Sequence, residues 1–179
     1  SLQKYDLYRQ LGDDQKALAE LEKARKSYPD ELAILGTYVD YYFEKNDIGG
    51  AKNMLEALVA ANPDNARANF TLAEIYVREN QLSKAYGPLK VAFASTDIEL
   101  DSKMQMLLKI YDEQVKIEEP VFTLAKQLTE VYPNDAKPWS RLGAFYVKND
   151  DEEQALPMYE KALDFDQSMA KERIAFLGL

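Results

Sequence analysis

The sequence has no cysteine and no histidine among its 179 residues, and only seven glycines, seven prolines and one tryptophan. Without cysteine no disulfide can form, and no thiol nucleophile or zinc–thiolate site is available. Without histidine there is no imidazole general base, no Ser–His–Asp triad and no imidazole-ligated metal. Cations are also in short supply. Lys and Arg number 22 against 31 Asp and Glu, for a formal net charge of −9, which argues against broad contact with nucleic-acid phosphates. No apolar run approaches the roughly 18 residues that suggest a transmembrane helix. No basic start followed by an apolar stretch marks a signal peptide, although the chain opens at Ser1 rather than Met, which leaves room for an upstream leader. The expectation is a soluble chain, cytoplasmic or bacterial periplasmic. The missing cysteines fit a reducing compartment.

Local signatures of chemistry are missing too. Gly49-Gly50 lacks the Lys-Ser/Thr that follows in a phosphate-cradling loop. No acidic loop has calcium-ligand spacing around a central glycine. Carboxylates are abundant, but no pair stands apart as an acid and base for glycoside chemistry. Asn69-Phe70-Thr71 matches a glycosylation sequon yet falls inside a predicted helix. The sequence therefore predicts no catalytic residue, no cofactor and no metal.

What is present is helical periodicity, interrupted about every dozen residues. Leu18, Leu21 and Ala24 fall at helical spacing, as do Met54, Leu55 and Leu58, and Leu72, Ala73 and Tyr76. The interruptions read Gly12-Asp13-Asp14, Pro29-Asp30, Asn46-Asp47, Pro63-Asp64-Asn65, Asn80-Gln81, Pro133-Asn134-Asp135 and Asn149-Asp150-Asp151. Asp and Asn suit helix starts because their side chains accept from the free amides there. This reading gives eleven helices and no strand, and assigns most of the acidic excess to caps and solubility. Gly87-Pro88 and Leu156-Pro157 fall past the first turn of predicted helices. They read as tolerated bends or as adjustments of curvature.

The helices repeat. Tyr8, Tyr42, Tyr76, Tyr111 and Tyr146 lie 34, 34, 35 and 35 residues apart. Nine residues after four of them come Ala17, Ala51, Ala85 and Ala155, and four later Leu21, Leu55, Leu89 and Tyr159. Pro29, Pro63 and Pro133 end the cycle. A period of this length signals stacked helix pairs. The stretch Trp139-x-x-Leu142-Gly143-x-x-Tyr146, followed by Ala155, Tyr159 and Ala162, resembles the tetratricopeptide repeat. The resemblance implies an all-α, right-handed α-solenoid of antiparallel A and B helices. It divides the chain into repeats at 1–31 (partial), 32–65, 66–100, 101–135, 136–169 and 170–179 (helix A only). The 101–135 repeat departs most, with one extra residue placed around 115–119. Ile174, Phe176 and Leu177 of the last helix would leave apolar surface open, so both ends read as edges of a longer array.

The resemblance also implies a non-enzymatic scaffold that holds a partner segment in a groove lined by the A helices. The side chains assigned to that groove are Asp40, Phe43, Arg67, Phe70, Glu74, Arg78, Met106, Lys109, Lys137, Arg141 and Lys148. Its N-terminal half is mostly acidic, with Arg67 and Arg78 as exceptions. Lys109, Lys137, Arg141 and Lys148 dominate the other and suggest an acidic partner segment there. Lys137 and Arg141 have the spacing of one pair in the carboxylate clamp of chaperone-binding members, but Phe70, Glu74 and Met106 replace its other residues. No chaperone-tail adaptor is expected, and this with the degenerate repeats leans towards a bacterial protein. The alternatives are a self-associating structural segment, pairing through open repeat ends, and a regulatory region of a larger multidomain protein.

Overall fold

Four sharp turns set the architecture. Gly12, Asn46, Asn80 and Asp150 have φ of 73, 54, 58 and 62°, the left-handed conformation that ends many helices and that Gly, Asn and Asp tolerate best. At each turn the next residue's amide reaches back to a tyrosine carbonyl. Asp13 donates to Tyr8, Asp47 to Tyr42, Gln81 to Tyr76 and Asp151 to Tyr146, at 2.8–2.9 Å. Asp13 and Asp47 then accept from the amides of Lys16 and Gly50, and Asp151 from that of Gln154. One short segment thus closes one helix and caps the next.

The computed structural model describes residues 1–165. Ten helices and no strand occur among them. They are α1 (Leu2–Gln10), α2 (Asp14–Ser27), α3 (Leu32–Glu44), α4 (Ile48–Ala61), α5 (Ala66–Arg78), α6 (Leu82–Ala94), α7 (Leu100–Glu113), α8 (Glu119–Val131), α9 (Ala136–Lys148) and α10 (Glu152–Phe165). The eleventh helix expected at 170–177 lies outside the described residues. Helices pair as α1–α2, α3–α4, α5–α6 and α9–α10. Ala17, Ala51, Ala85 and Ala155 are fully buried where the pairs close, because a methyl group lets two backbones approach. The same closeness leaves little or no room for a side chain at two glycines. A Cβ on Gly50 would come within 2.4 Å of the Tyr42 ring, and one on Gly143 within 3.0 Å of the Tyr159 ring. Tyr42 therefore packs on its own pair rather than only across to a neighbour. Of the five evenly spaced tyrosines only Tyr76 is buried. Helices α6 and α10 run on through Pro88 and Pro157.

The α7–α8 pair breaks the rule. The buried set of α7 is Lys103, Met106, Leu107 and Ile110. It reproduces Asn69, Leu72, Ala73 and Tyr76 of α5 at a separation of 34. Ile110, not Tyr111, therefore holds the signature place. Tyr111 instead lies half-buried and stacks on Phe145 of α9, with ring centroids 5.8 Å apart. The next signature residue, Tyr146, follows Ile110 by 36, so the insertion is two residues rather than one, and it lengthens the connecting segment 114–118. Helix α8 packs directly on α6, and α7 packs less closely on α8 than the other A helices do on their partners.

Candidate functional site

In α5, α7 and α9 one matching place meets the segment after the preceding B helix. Here Asn69 donates to the carbonyls of Pro63 (2.8 Å) and Asn65 (2.9 Å). Trp139 donates its indole N–H to the Pro133 carbonyl at 3.0 Å. Asn69 is only 2% exposed, so the sequon residue is structural. In α7 the same place is Lys103, fully buried. Its ammonium donates to the carbonyls of Phe93 and Ser95 and to the Tyr132 hydroxyl, and lies 4.9 Å from the centre of the Tyr132 ring. Three different side chains thus satisfy the loose carbonyls between repeats.

Two hollows open between odd-numbered helices. The one between α5 and α7 measures about 210 Å³ and is lined by Phe70, Glu74, Arg78, Ser102, Gln105, Met106 and Lys109. Five of the eleven groove residues assigned from the sequence, Phe70, Glu74, Arg78, Met106 and Lys109, meet there. Phe70 and buried Met106 make the apolar floor, while the charged groups stand exposed. Desolvation by the walls raises the Glu74 carboxyl above its ordinary value, and Arg78 and Lys109 oppose the shift. A second hollow, between α1 and α3, is lined by Tyr5, Asp6, Arg9, Gln10, Thr37, Asp40 and Glu44. Arg9 is already bound there by Asp14 and Glu44.

Asp40 lines the second hollow, and the other five assigned residues lie outside both. Phe43 is 37% exposed and Arg67 is exposed at the start of α5. The basic end of the groove is weaker than the sequence implies. Lys137 binds Asp101 of α7, and that bond raises its ammonium above the usual value. Lys148 is half-buried, with its ammonium on the Tyr111 carbonyl and 3.8 Å from the centre of the Tyr111 ring. It replaces the backbone donor that the α7–α8 connection lacks. Arg141 is half-buried, with its Nε enclosed and without a hydrogen-bond partner. The spacing of tyrosines carries no sign of these engagements, which depend on contacts some 36 residues apart in the chain.

These features define a solenoid of helix pairs with hollows along its A helices. Tetratricopeptide-repeat models match residues 6–31, 42–92 and 136–169. The chain belongs to the tetratricopeptide-repeat family. Between the last two matches lies the irregular α7–α8 pair. Over 80 residues, 44% of this chain, the sequence is 35% identical to the human protein O-mannosyl-transferase TMTC3. That stretch spans 9% of the relative's length. Among solved structures, MamA superposes with a TM-score of 0.60 at 19% identity, covering 95% of this chain and 92% of its own. YrrB, a TPR protein described as having an unusual peptide-binding site, gives 0.57 at 21% identity, covering 96% and 89%. At these identities the likeness shows the fold. The family and fold are those of protein-interaction scaffolds. Among the described residues no helix is long and apolar enough to cross a membrane, and no group of three or more Asp or Glu is placed to hold a metal ion.

Proposed function

We propose that this protein is a non-catalytic scaffold that holds an extended segment of a protein partner along the groove of its odd-numbered helices. The observation that carries this reading is the α5–α7 hollow, which combines an apolar floor with charged walls in one concave place. That is the usual anatomy of a site for a peptide side chain. The acidic hollow between α1 and α3 and the cations further along give the groove opposite charge at its two ends. Arg78, Lys109 and Arg141 carry the positive part of this field, because Lys137 and Lys148 are engaged within the protein. An acidic stretch of the partner fits that end.

The test is a pull-down of partners with wild-type protein and two charge reversals. Arg78→Glu with Lys109→Glu alters the groove. Lys90→Glu, on the opposite face of α6, is the control. Loss of the captured proteins only with the groove variant supports the reading. Equal capture by both variants contradicts it. Self-association through repeat ends predicts instead a mass that grows with concentration in sedimentation, with no partner retained.

A further inference from the structure

We infer that the α5–α7 hollow is a selective subsite for one apolar side chain of the partner with an acidic residue beside it in the chain. This deepens the groove reading and rests on it. The first ground is size. A cavity of about 150 Å³ lined by apolar groups holds a benzene molecule, so the 210 Å³ here has room for a single leucine or phenylalanine side chain over Phe70 and Met106. A longer apolar run has nowhere to go, because the walls are Glu74, Arg78, Ser102, Gln105 and Lys109.

The second ground is charge. Carboxylates outnumber cations by 31 to 22 in this chain. Among the described residues, exposed cations such as Lys4, Lys26, Arg67 and Lys90 also stand without an ion pair, and what sets Arg78 and Lys109 apart is that two such cations line the same hollow. Arg9, Lys16, Lys23, Lys45, Lys52, Lys116, Lys126 and Lys137 all pair with carboxylates. Arg78 and Lys109 come from different helices and converge on one hollow, yet among the described residues neither has a carboxylate within ion-pair distance. Glu74 acts on both only at longer range. A partner carboxylate placed between Arg78 and Lys109 supplies the missing counter-charge to both. A basic residue in that place would meet two like charges. The hollow is open along the groove, so the acid belongs to an internal residue of a passing segment.

Random 12-residue peptides displayed and selected on the immobilised protein test this directly. Selected peptides should be enriched in a Leu, Met or Phe next to Asp or Glu. Synthetic copies should bind about tenfold more weakly to Arg78→Ala/Lys109→Ala, and also when their acid is changed to the amide. Circular dichroism melts of the double variant confirm that it stays folded. Met106→Gln, which spoils the floor, should weaken the same peptides while leaving charge untouched. Peptides that lose binding to Asp40→Lys but not to the Arg78/Lys109 variant would overturn the subsite and leave the groove reading standing. Peptides indifferent to every groove variant would overturn both. Enrichment of basic residues, of a free C-terminal carboxylate alone, or of nothing at all would overturn the subsite.

Discussion

Lys103 shows how much one residue can hold. A buried charged side chain without a carboxylate partner is costly unless every proton on it finds an acceptor. The Lys103 ammonium finds three, from α6, from the loop after α6 and from Tyr132 just past α8. Changing it to Met keeps the apolar stem and strands these acceptors. Each unsatisfied buried group costs about 1–3 kcal/mol, so Lys103→Met should lose at least about that much in urea unfolding, whereas removing the exposed Lys90 should change little. Equal midpoints for the two variants would contradict the assignment. Gly50 makes the opposite point, because its importance is an absence. Alanine is the better helix former by about 1 kcal/mol, yet its methyl group would press on the Tyr42 ring. Overpacking costs about 1–3 kcal/mol. Gly50→Ala should therefore destabilise the protein, and a Tyr42→Ala background should reverse the sign.

At the scale of elements, the pairs joined by left-handed turns were legible because each turn uses residue types that few other conformations demand. The small residues at Ala17, Ala51, Ala85 and Ala155 were legible because they recur nine residues after the tyrosines. Helix α7 was not. Ile110 and Tyr111 are adjacent, both are large, and the tyrosine count favoured the wrong one by a single residue. A one-residue shift turns a helix by about 100°, and with it the face that each side chain occupies. What replaces the missing turn is a set of distant latches. Asn149 both accepts from the Ile117 amide (2.7 Å) and donates to its carbonyl (2.9 Å), and Tyr86 donates to Glu118 at 2.9 Å. Asn149→Ala should raise hydrogen exchange across 114–118 selectively, and unchanged protection would show that the segment is held otherwise. The tyrosines add a pH signature. Burial, reinforced by the bonds to Glu56 and Glu118, pushes Tyr76 and Tyr86 up to about 12, against an ordinary value near 10. Between those values the unfolded chain has released both protons and the folded chain keeps them. This stabilisation is complete below pH 10 and is lost as pH climbs through 12. Thermal melts should fall across that window, and Tyr76→Phe with Tyr86→Phe should flatten the slope.

For the molecule as a whole, stability is shared between neighbouring repeats rather than centred on one core. Tyr76, buried midway along the described stack and donating to Glu56 at 2.7 Å, belongs to the most enclosed pair, and Tyr76→Ala should cost about 3–5 kcal/mol. The groove runs along the opposite side of the same helices. Part of its lining was legible from the period together with the family resemblance, since five assigned residues do meet at the α5–α7 hollow. The rest was not, because ion pairs such as Lys137 with Asp101 depend on how far α7 stands from its neighbours. We propose that the protein works through this groove. The most direct measurement is amide chemical-shift mapping on titration with a partner segment recovered by the wild-type protein. The account predicts shifts concentrated at Phe70, Glu74 and Arg78 of α5 and at Ser102, Gln105 and Lys109 of α7, with Lys90, Val91 and Gln127 on the even helices quiet. Shifts confined to Lys90, Val91 and Gln127, with the α5–α7 hollow silent, would contradict it.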